Sequence, residues 1–366
     1  MTNQPTLKKD PSEEDVKYSV SGGLVNRLAK YNFSFAFTSY QSGLLYFIGR
    51  NAQGGINVHQ SGLLKPMGLH FDAKTAELTM AGGYQIYRFQ NILESDQKIN
   101  HIFDFCYVPR TVNVTGQLDA HDIGVMQDNR VVFVNTAFNC LATLDKKYSF
   151  KALWRPPFIS QLVKEDRCHL NGMAMKDGKP RYVTAVSRSD TIDGWRDRRD
   201  NGGIVIDIEK NKIICKGLSM PHSPRWHQGE LWVLNAGTGE LGIIKGAETG
   251  RGHFEPRVFC PGFLRGLAFY DNLAFICLSK PRYERFEGLA LDKRLQETDS
   301  EPWCGIQIID LTTNSCVDWF RIDGKVTELY DVVIIPNSTC PMAVSPESPE
   351  AASLVTFEKT ERKNEK

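Results

Sequence analysis

The chain has 366 residues, of which 41% are hydrophobic and 24% are charged, and its formal net charge at pH 7 is +1. This composition is typical of a soluble globular protein, and a net charge near zero gives no broad attraction to nucleic acid or to anionic membranes. No run of about 18 apolar residues occurs, so we expect no transmembrane helix and no membrane partner.

The cysteines and the N-terminal segment indicate the cellular compartment in which the protein is expected. Nine cysteines are spread along the chain without a CxxC pair, and several, such as Cys140 and Cys277, lie in apolar runs. An odd number in such positions favours buried free thiols in a reducing environment over a disulfide framework. The polar N-terminal segment lacks the apolar core of a signal peptide. We therefore expect a cytoplasmic protein.

Both ends of the chain are polar and charged. Residues 1–20 and 345–366 are predicted to be disordered tails, which leaves residues 21–344 as a single domain. Within it, short β-branched and aromatic runs alternate with Gly, Asn, Asp and Pro, and long helical periodicity is nearly absent. This pattern predicts an all-β fold.

Five segments of the domain share one pattern, in which a strand, a tight turn and further strands follow one another. They begin at Lys65, His121, His169, His222 and Phe263 and start 41 to 56 residues apart. Four short strands in roughly 40 to 55 residues make up one blade of a β-propeller.

The remaining strands come from the two ends of the domain. An isolated strand, YDVVIIPN, begins at Tyr330, and three strand-like runs follow Phe33. Joined, they make a sixth blade with its inner strand from the C-terminal part, which closes the ring and removes an exposed sheet edge. The sequence thus predicts a six-bladed β-propeller. Seven blades are the alternative, if the N-terminal strands form a blade alone.

Three histidines occupy equivalent positions in consecutive repeats. His121, His169 and His222 each stand at the start of a predicted inner strand, and such positions face one another at one mouth of the central channel. Three imidazole nitrogens with one open position form a catalytic zinc site. Iron or manganese would suit a mixed set that includes carboxylates, for which Asp122 and Asp331 are candidates. We therefore predict a divalent metal, with zinc first, on the three histidines.

A structural role is the alternative for these histidines. Polar residues at the starts of inner strands often bond only to channel water or to neighbouring carbonyl groups. Lys65 and Phe263 take the equivalent position in two other blades, so not every blade offers a metal ligand. His227 follows the inner strand of His222 and is expected near the opposite face, in a structural role.

Other groups are predicted at the same mouth. Arg265 and Arg225 would hold a substrate carboxylate or stabilise an oxyanion. Tyr40 and Asp331 are candidates for proton transfer, and Asn171 is a candidate for a further contact.

Two long loops lie near this mouth, from Ser187 to Gly203 and from Ser279 to Trp303. Loops of this length usually act as lids or binding elements. They contain GWRDRRD and KPRYERF, whose arginines suit a small anionic substrate. Asp193, Asp197 and Asp200 nearly balance the first group, so a solvated run of charges is the alternative.

The segments TSY at Thr38 and MPHSPRWHQGELWVLNAGTGELG at Met220 resemble signatures of a bacterial family of uncharacterised proteins, some of them joined to tetratricopeptide repeats. The resemblance covers nearly the whole domain and implies relatives without a known activity. The architecture is also similar to gluconolactonase-like hydrolases, which hold a divalent cation with carboxylates and amides. It is similar, too, to peptide-amidating lyases, which hold zinc with three histidines from separate blades. The histidines of this chain are more similar to the second group, by analogy alone.

These features predict a metal-dependent hydrolase or lyase that acts on a small anionic substrate at the channel mouth, with Fe-dependent oxygenation left open. The alternative is a non-catalytic propeller that binds a protein partner. A channel filled by bulky side chains would favour that alternative. No GxSxG, HExxH or CxxC motif occurs, and GTGELG joins two predicted strands, which does not fit a phosphate loop.

Overall fold

The computed structural model describes residues 16–283, 285–286 and 288–357. Its strands form six sheets of four or five strands, and their inner strands contact one another in a closed ring. The protein is therefore a six-bladed β-propeller, as predicted, and not a seven-bladed one. No helix in the described part of the chain is long and apolar enough to cross a membrane.

We number the blades from the one that closes the ring and give each from its inner to its outer strand. Blade 1 consists of Val332–Pro336, Phe33–Ser39, Leu44–Arg50 and Ile56–Gly62. Blade 2 consists of Pro66–Asp72, Glu77–Gly82, Gln85–Asn91, Phe105–Val114 and Pro341–Ala343. Blade 3 consists of Ala120–Val125, Val131–Asn135, Cys140–Thr143 and Lys151–Trp154.

The other three blades follow in chain order. Blade 4 consists of Leu170–Lys176, Lys179–Ala185, Gly203–Asp207 and Lys212–Leu218. Blade 5 consists of Pro221–His227, Glu230–Asn235, Glu240–Lys245 and His253–Phe259. Blade 6 consists of Phe263–Tyr270, Leu273–Ser279, Cys304–Asp310, Ser315–Asp323 and Lys17–Val20.

Helices are short and peripheral. The α-helices are Leu24–Tyr31, Ala290–Glu297 and Pro349–Ser353. The 3₁₀ turns are Thr136–Phe138, Arg196–Arg198 and Ala236–Thr238.

The ring closes as the sequence predicts, by pairing its two ends. Phe33–Ser39 is antiparallel to the inner strand Val332–Pro336, with Phe33 opposite Pro336 and Phe37 opposite Val332. Every residue of Phe33–Ser39 is buried. Phe33 and Phe35 pack against Phe275 of blade 6, so the closure also joins neighbouring blades. Full burial of each such side chain contributes about 1.5–3 kcal/mol.

Close approach of neighbouring inner strands depends on glycine. A Cβ on Gly172 of blade 4 would lie 2.9 Å from the backbone nitrogen of Ser223 in blade 5. A Cβ on Gly266 of blade 6 would lie 2.7 Å from Cα of Asp331 beside blade 1, and its φ of +59° also favours glycine. These contacts bring the starts of the inner strands together at the mouth.

Three side chains at that mouth each bond the backbone of the next blade. Asp331 accepts from the N–H of Leu69 at 2.9 Å, and Asp122 accepts from the N–H of Met173 at 2.9 Å. Ser223 accepts from the N–H of Gly266 at 3.0 Å. These bonds link blade 1 to blade 2, blade 3 to blade 4 and blade 5 to blade 6.

The channel is closed at its centre by Arg225 of blade 5. Its Nη1 donates to Asp122 Oδ2 at 2.7 Å, and its Nη2 lies 3.4 Å from Asp331 Oδ1. The remaining N–H groups reach the carbonyl oxygens of Leu267 and Met173, both at 3.1 Å. Arg225 thus joins blades 1, 3, 4 and 6 to its own. Its hydrogen-bonding capacity is used within the protein.

The predicted boundaries of the tails need correction. Lys17–Val20, placed in the N-terminal tail, forms the outer strand of blade 6, opposite Phe320–Asp323. Tyr18 stacks on Phe320 with ring centres 5.6 Å apart. A four-residue strand is too short for its alternation to be recognised. Pro349–Ser353 likewise forms a short helix in the predicted C-terminal tail. The rest of the N-terminal prediction, residues 1–15, and residues 358–366 lie outside the described residues.

All nine cysteines lie in the described part of the chain and are free thiols, as predicted, and eight of them are buried. Burial raises the pKa of Cys140 to about 12, so this thiol is unreactive at neutral pH.

We predict that Arg225→Met destabilises the protein by about 3–5 kcal/mol, because it leaves two buried carboxylates without their counter-ion. The control is Arg130→Met, which removes an arginine that is 56% exposed and paired with Asp128. The control should change stability by less than about 0.5 kcal/mol. Urea unfolding at pH 7.5 measures both. Adding Asp122→Asn and Asp331→Asn to Arg225→Met should restore part of the loss, and equal stability of the two arginine variants would contradict this assignment.

Candidate functional site

A small chamber lies at the mouth where the inner strands begin. It has a volume of about 10 Å³, close to the space that one water molecule or ion needs. Its lining includes His121, Asn171, His222, Arg265, Tyr330 and Asp331. Asp122 lines it too, so the structure brings together six of the candidates from the sequence, supplied by blades 3, 4, 5, 6 and 1, whereas His169 is not part of this lining.

The three histidines share one hydrogen-bond pattern. In His121, Nδ1 lies 2.8 Å from the carbonyl oxygen of Asp119. In His222, Nδ1 lies 2.8 Å from the carbonyl oxygen of Met220. In His169 it lies 2.5 Å from Asp166 Oδ2. Because a carbonyl oxygen can only accept, Nδ1 of His121 and of His222 carries the proton, and Nε2 is left with the lone pair.

Two of these imidazoles are neutral at pH 7. Burial lowers the pKa of His121, and His169 lowers it further, against the opposing effect of Asp119. Burial and the charge of Arg265 bring the pKa of His222 well below its ordinary value of 6.5. Both rings therefore present an unprotonated Nε2.

The rings are not equally close to one another. The ring centres of His121 and His169 are 4.9 Å apart, with the planes nearly perpendicular. His169 also stacks on Trp195 at 4.2 Å, whereas His222 contacts Phe263 edge to face at 5.3 Å. Across residues 16–283, 285–286 and 288–357, no group of three or more His, Cys, Asp and Glu side chains is arranged to hold a metal ion. The zinc site stays a prediction.

The backbone around the chamber is strained. His169, Met220 and Ser223 have φ values of 49°, 47° and 43°, in the left-handed region that costs a non-glycine residue of order 1 kcal/mol or more. The backbone N–H of His169 donates to Asp166 Oδ1 at 3.0 Å, which helps to hold this conformation. Strain of this kind clusters at functional sites.

Asp331 lies at the floor of the chamber, in contact with Arg225. Burial raises its pKa to about 7; the charge of Asp122 adds to the rise and Arg225 opposes it. Val332 N–H also donates to this carboxyl group. Asp331 and Arg225 are therefore held by protein groups, and their predicted catalytic roles remain untested predictions.

Arg265 and Tyr40 belong to a network that the sequence did not reveal in full. Arg265 Nη1 donates to Glu328 Oε2 at 3.0 Å and to the Tyr40 hydroxyl at 3.1 Å. Arg282 Nη2 donates to the same hydroxyl at 2.6 Å, and Tyr40 donates to Glu328. Glu328 was missed. The sequence held one signal for it. Glu328 stands two residues before Tyr330, just as Asp119 stands two residues before His121 in the repeat of blade 3.

The two long loops meet beside the chamber and form a second cavity, which we call the loop pocket. Its volume is about 310 Å³. Trp195 and Arg196 come from the first loop, Arg282 and Phe286 from the second, and Arg265 lines both this pocket and the chamber. The loops therefore reach the predicted mouth. Asp166 and Trp195, both in contact with His169, were not chosen as site residues from the sequence.

The opposite mouth is a wider, mostly apolar funnel of about 410 Å³. His227 lines it, as expected for the far face, stacks on Phe269 at 4.2 Å and lies 2.9 Å from the Asp271 carbonyl oxygen. Burial lowers the pKa of His227. The two mouths are thus chemically different.

Solved structures with a similar fold include a chain of a nidogen/laminin complex, with a TM-score of 0.53, 13% identity, and coverage of 83% of this chain and 98% of that one. A putative gluconolactonase has a TM-score of 0.46, 9% identity, and coverage of 73% and 80%. Virginiamycin B lyase from Staphylococcus aureus has a TM-score of 0.40, 10% identity, and coverage of 85% and 100%. The first of these likenesses, at 13% identity, shows the fold alone.

No curated protein matches the chain. A family model described as a domain of unknown function, DUF4915, matches residues 22–344, which run from the first helix to the last strand and leave out only the outer strand Lys17–Val20 of the described propeller. This agrees with the resemblance to an uncharacterised family that the sequence suggested. The chain therefore belongs to the DUF4915 family.

Proposed function

We propose that the protein is a hydrolase or lyase that acts on a small anionic substrate at the mouth of the chamber. The Nε2 atoms of three histidines, His121, His169 and His222, would hold a divalent metal ion. Zinc is the first candidate for this ion. One observation carries the proposal: imidazoles from three blades, each with Nδ1 at an oxygen acceptor, lie beside a pocket rich in arginine.

The hydrogen bonds of the histidines support metal binding. Histidine ligands of metals usually donate Nδ1–H or Nε2–H to a carbonyl or a carboxylate, which fixes the ring and makes the other nitrogen more basic. His121, His169 and His222 all have such a partner. A neutral imidazole also binds a metal without first losing a proton.

The spacing of two of the rings fits a shared ion. Two imidazoles that bind one tetrahedral zinc at about 2.0–2.1 Å have ring centres about 5 Å apart, and those of His121 and His169 are 4.9 Å apart. His222 of the next blade, with its Nδ1 held by the Met220 carbonyl oxygen, would be the third ligand. A bound ion would lower the pKa of a bound water or polarise a carbonyl group.

Arg265 is placed to orient the substrate. Its guanidinium lies between the chamber and the loop pocket, and its side chain is only 11% exposed. In such a setting a guanidinium binds carboxylate or phosphate strongly. The Tyr40 hydroxyl, which bonds both Arg265 and Glu328, is the candidate proton donor.

A non-catalytic binding module is the second candidate function. The observation in its favour is the closure of the channel by Arg225, Asp122 and Asp331. Such a plug makes the propeller a rigid platform for a partner. In that case the histidines would stabilise the mouth and bind no metal.

We predict about one equivalent of zinc or another divalent ion per chain in protein purified without a histidine tag. His169→Ala should lower the affinity for zinc by at least tenfold, because one of three ligands is lost. His253→Ala, in an exposed outer-strand position of blade 5, is the matched control and should behave as the parent does. Elemental analysis and competition with a zinc-binding dye measure this. Equal zinc affinity in both variants would exclude the proposed site.

We also predict that the metal-free protein loses stability as the pH falls below about 6.5. His222 stays neutral in the folded state because its pKa lies well below 6.5, whereas it takes up a proton in the unfolded chain. Each such group contributes a slope of up to about 1.4 kcal/mol per pH unit. Asp331, whose pKa is raised, acts in the opposite direction between about pH 4 and 7.

Comparing variants separates these two effects. His222→Gln should show a smaller loss of unfolding free energy between pH 7.5 and 5.5 than the parent, while His253→Gln should follow the parent. Urea unfolding at the two pH values supplies the measurement. A His222→Gln profile parallel to that of the parent would mean that this imidazole is not held neutral.

A further inference from the structure

We infer that the loop pocket binds an organic dianion that carries a flat apolar group, either a phosphate monoester or a dicarboxylate. This deepens the proposed function, on which it rests for the idea that a small anion enters this mouth. It adds that the ligand carries two negative charges and that the rest of the ligand is a flat apolar group.

The charges of the pocket call for more than one negative charge on the ligand. Six of the described residues that line it are cationic, and Glu328 is the sole carboxylate among them. Of the six, Arg196 is paired with Asp193 and Arg199 donates to the carbonyl oxygen of Arg196, so the ligand's charge is inferred from the other four. Glu328 is shared by Arg265 and Arg282, at 3.0 and 2.9 Å, so this group of three retains one positive charge. Lys280 and Arg285 line the same cavity. A monoanion would neutralise the inner group alone, whereas a dianion would also engage the outer cations.

The two arginines of the inner group differ in exposure, which gives the pocket a direction. The side chain of Arg265 is 11% exposed and that of Arg282 is 57% exposed. A charge-assisted hydrogen bond gains strength where water is excluded. One anionic oxygen is therefore best placed at Arg265, and the outer arginine closes over the group from the solvent side.

One wall of the pocket is apolar and adjoins the cations, since the guanidinium carbon of Arg265 lies 4.9 Å from the centre of the Phe263 ring. Met220, Phe263, Phe286 and Leu289 line it, and the rings of Phe263 and Phe286 stack at 6.2 Å with an interplanar angle of 23°. Phe263 and Phe286 are each only 7% exposed. A flat ring would gain apolar burial on this wall, which a bare inorganic anion would not. A volume of about 310 Å³ admits one such ring together with its anionic group.

The pocket is continuous with the histidines. Trp195, which lines it, stacks on His169 at 4.2 Å, and Phe263 meets His222 at 5.3 Å. An anion held by Arg265 therefore lies next to the chamber, while the apolar part of the ligand points towards the loops. This order places the bond beside the charged group nearest the imidazoles.

Isothermal titration calorimetry on the full chain, treated with EDTA and dialysed at low salt, tests the inference. The probes are phenyl phosphate, phthalate, benzoate and inorganic phosphate. We expect phenyl phosphate or phthalate to bind at least tenfold more tightly than both benzoate and inorganic phosphate. The stronger of the two dianions identifies the anionic group as phosphate or dicarboxylate. If benzoate bound as tightly as the better dianion, the requirement for two negative charges would be wrong. If inorganic phosphate bound as tightly, the requirement for an apolar group would be wrong.

Variants locate the binding. Arg282→Gln should weaken the better dianion about tenfold, and Phe286→Leu should weaken it while leaving inorganic phosphate unchanged. Arg130→Gln removes an arginine of matched exposure, at 56%, whose partner Asp128 lies outside the pocket, and should have no effect. Equal loss in Arg282→Gln and Arg130→Gln, or no binding of any probe, would overturn the inference. Because the calorimetry uses metal-free protein, it does not depend on the zinc measurement. Binding of the dianion, together with histidines that take up no zinc in the separate metal assay, would overturn the proposed chemistry and leave this inference standing.

Discussion

The structure depends on one partly buried guanidinium. Arg225 stands where blades 2, 3, 4 and 6 have glycine, and it extends across the axis to Asp122 and Asp331. Those carboxylates also accept the backbone N–H groups of neighbouring blades. Charges removed from water are costly unless each has partners. The cluster therefore fixes the relative positions of the inner strands, and with them the positions of the three histidines.

The two mouths differ because this cluster separates them. On one side, polar side chains that include His121, His222 and Arg265 line a small chamber. On the other side, the inner strands end in an apolar funnel. The long loops extend only the polar mouth, where Trp195 and Phe286 add aromatic walls. The polar groups of the proposed site thus lie on one face of the ring.

The ring and the clustering of His121 and His222 could be predicted because both follow from a repeat, and equivalent positions in a repeat meet at the axis. The function of Arg225 could not, because it depends on carboxylates from two other blades that approach only after closure. Glu328 and Asp166 were missed for the same reason: each acts through a partner, Arg265 or His169, that the repeat pattern does not identify. Lys17–Val20 was missed because a strand of four residues carries too little pattern.

The way in which the ring closes also has a consequence for synthesis. Phe33–Ser39 is made early, yet its hydrogen-bonding partner Val332–Pro336 is among the last strands of the domain to leave the ribosome. Until then an apolar strand edge stays unpaired, which exposes the nascent chain to aggregation. Asp331, which precedes that late strand, arrives with it. The chamber can therefore be complete only after this strand has been made, and a chain cut short before this point has neither a closed ring nor a complete site.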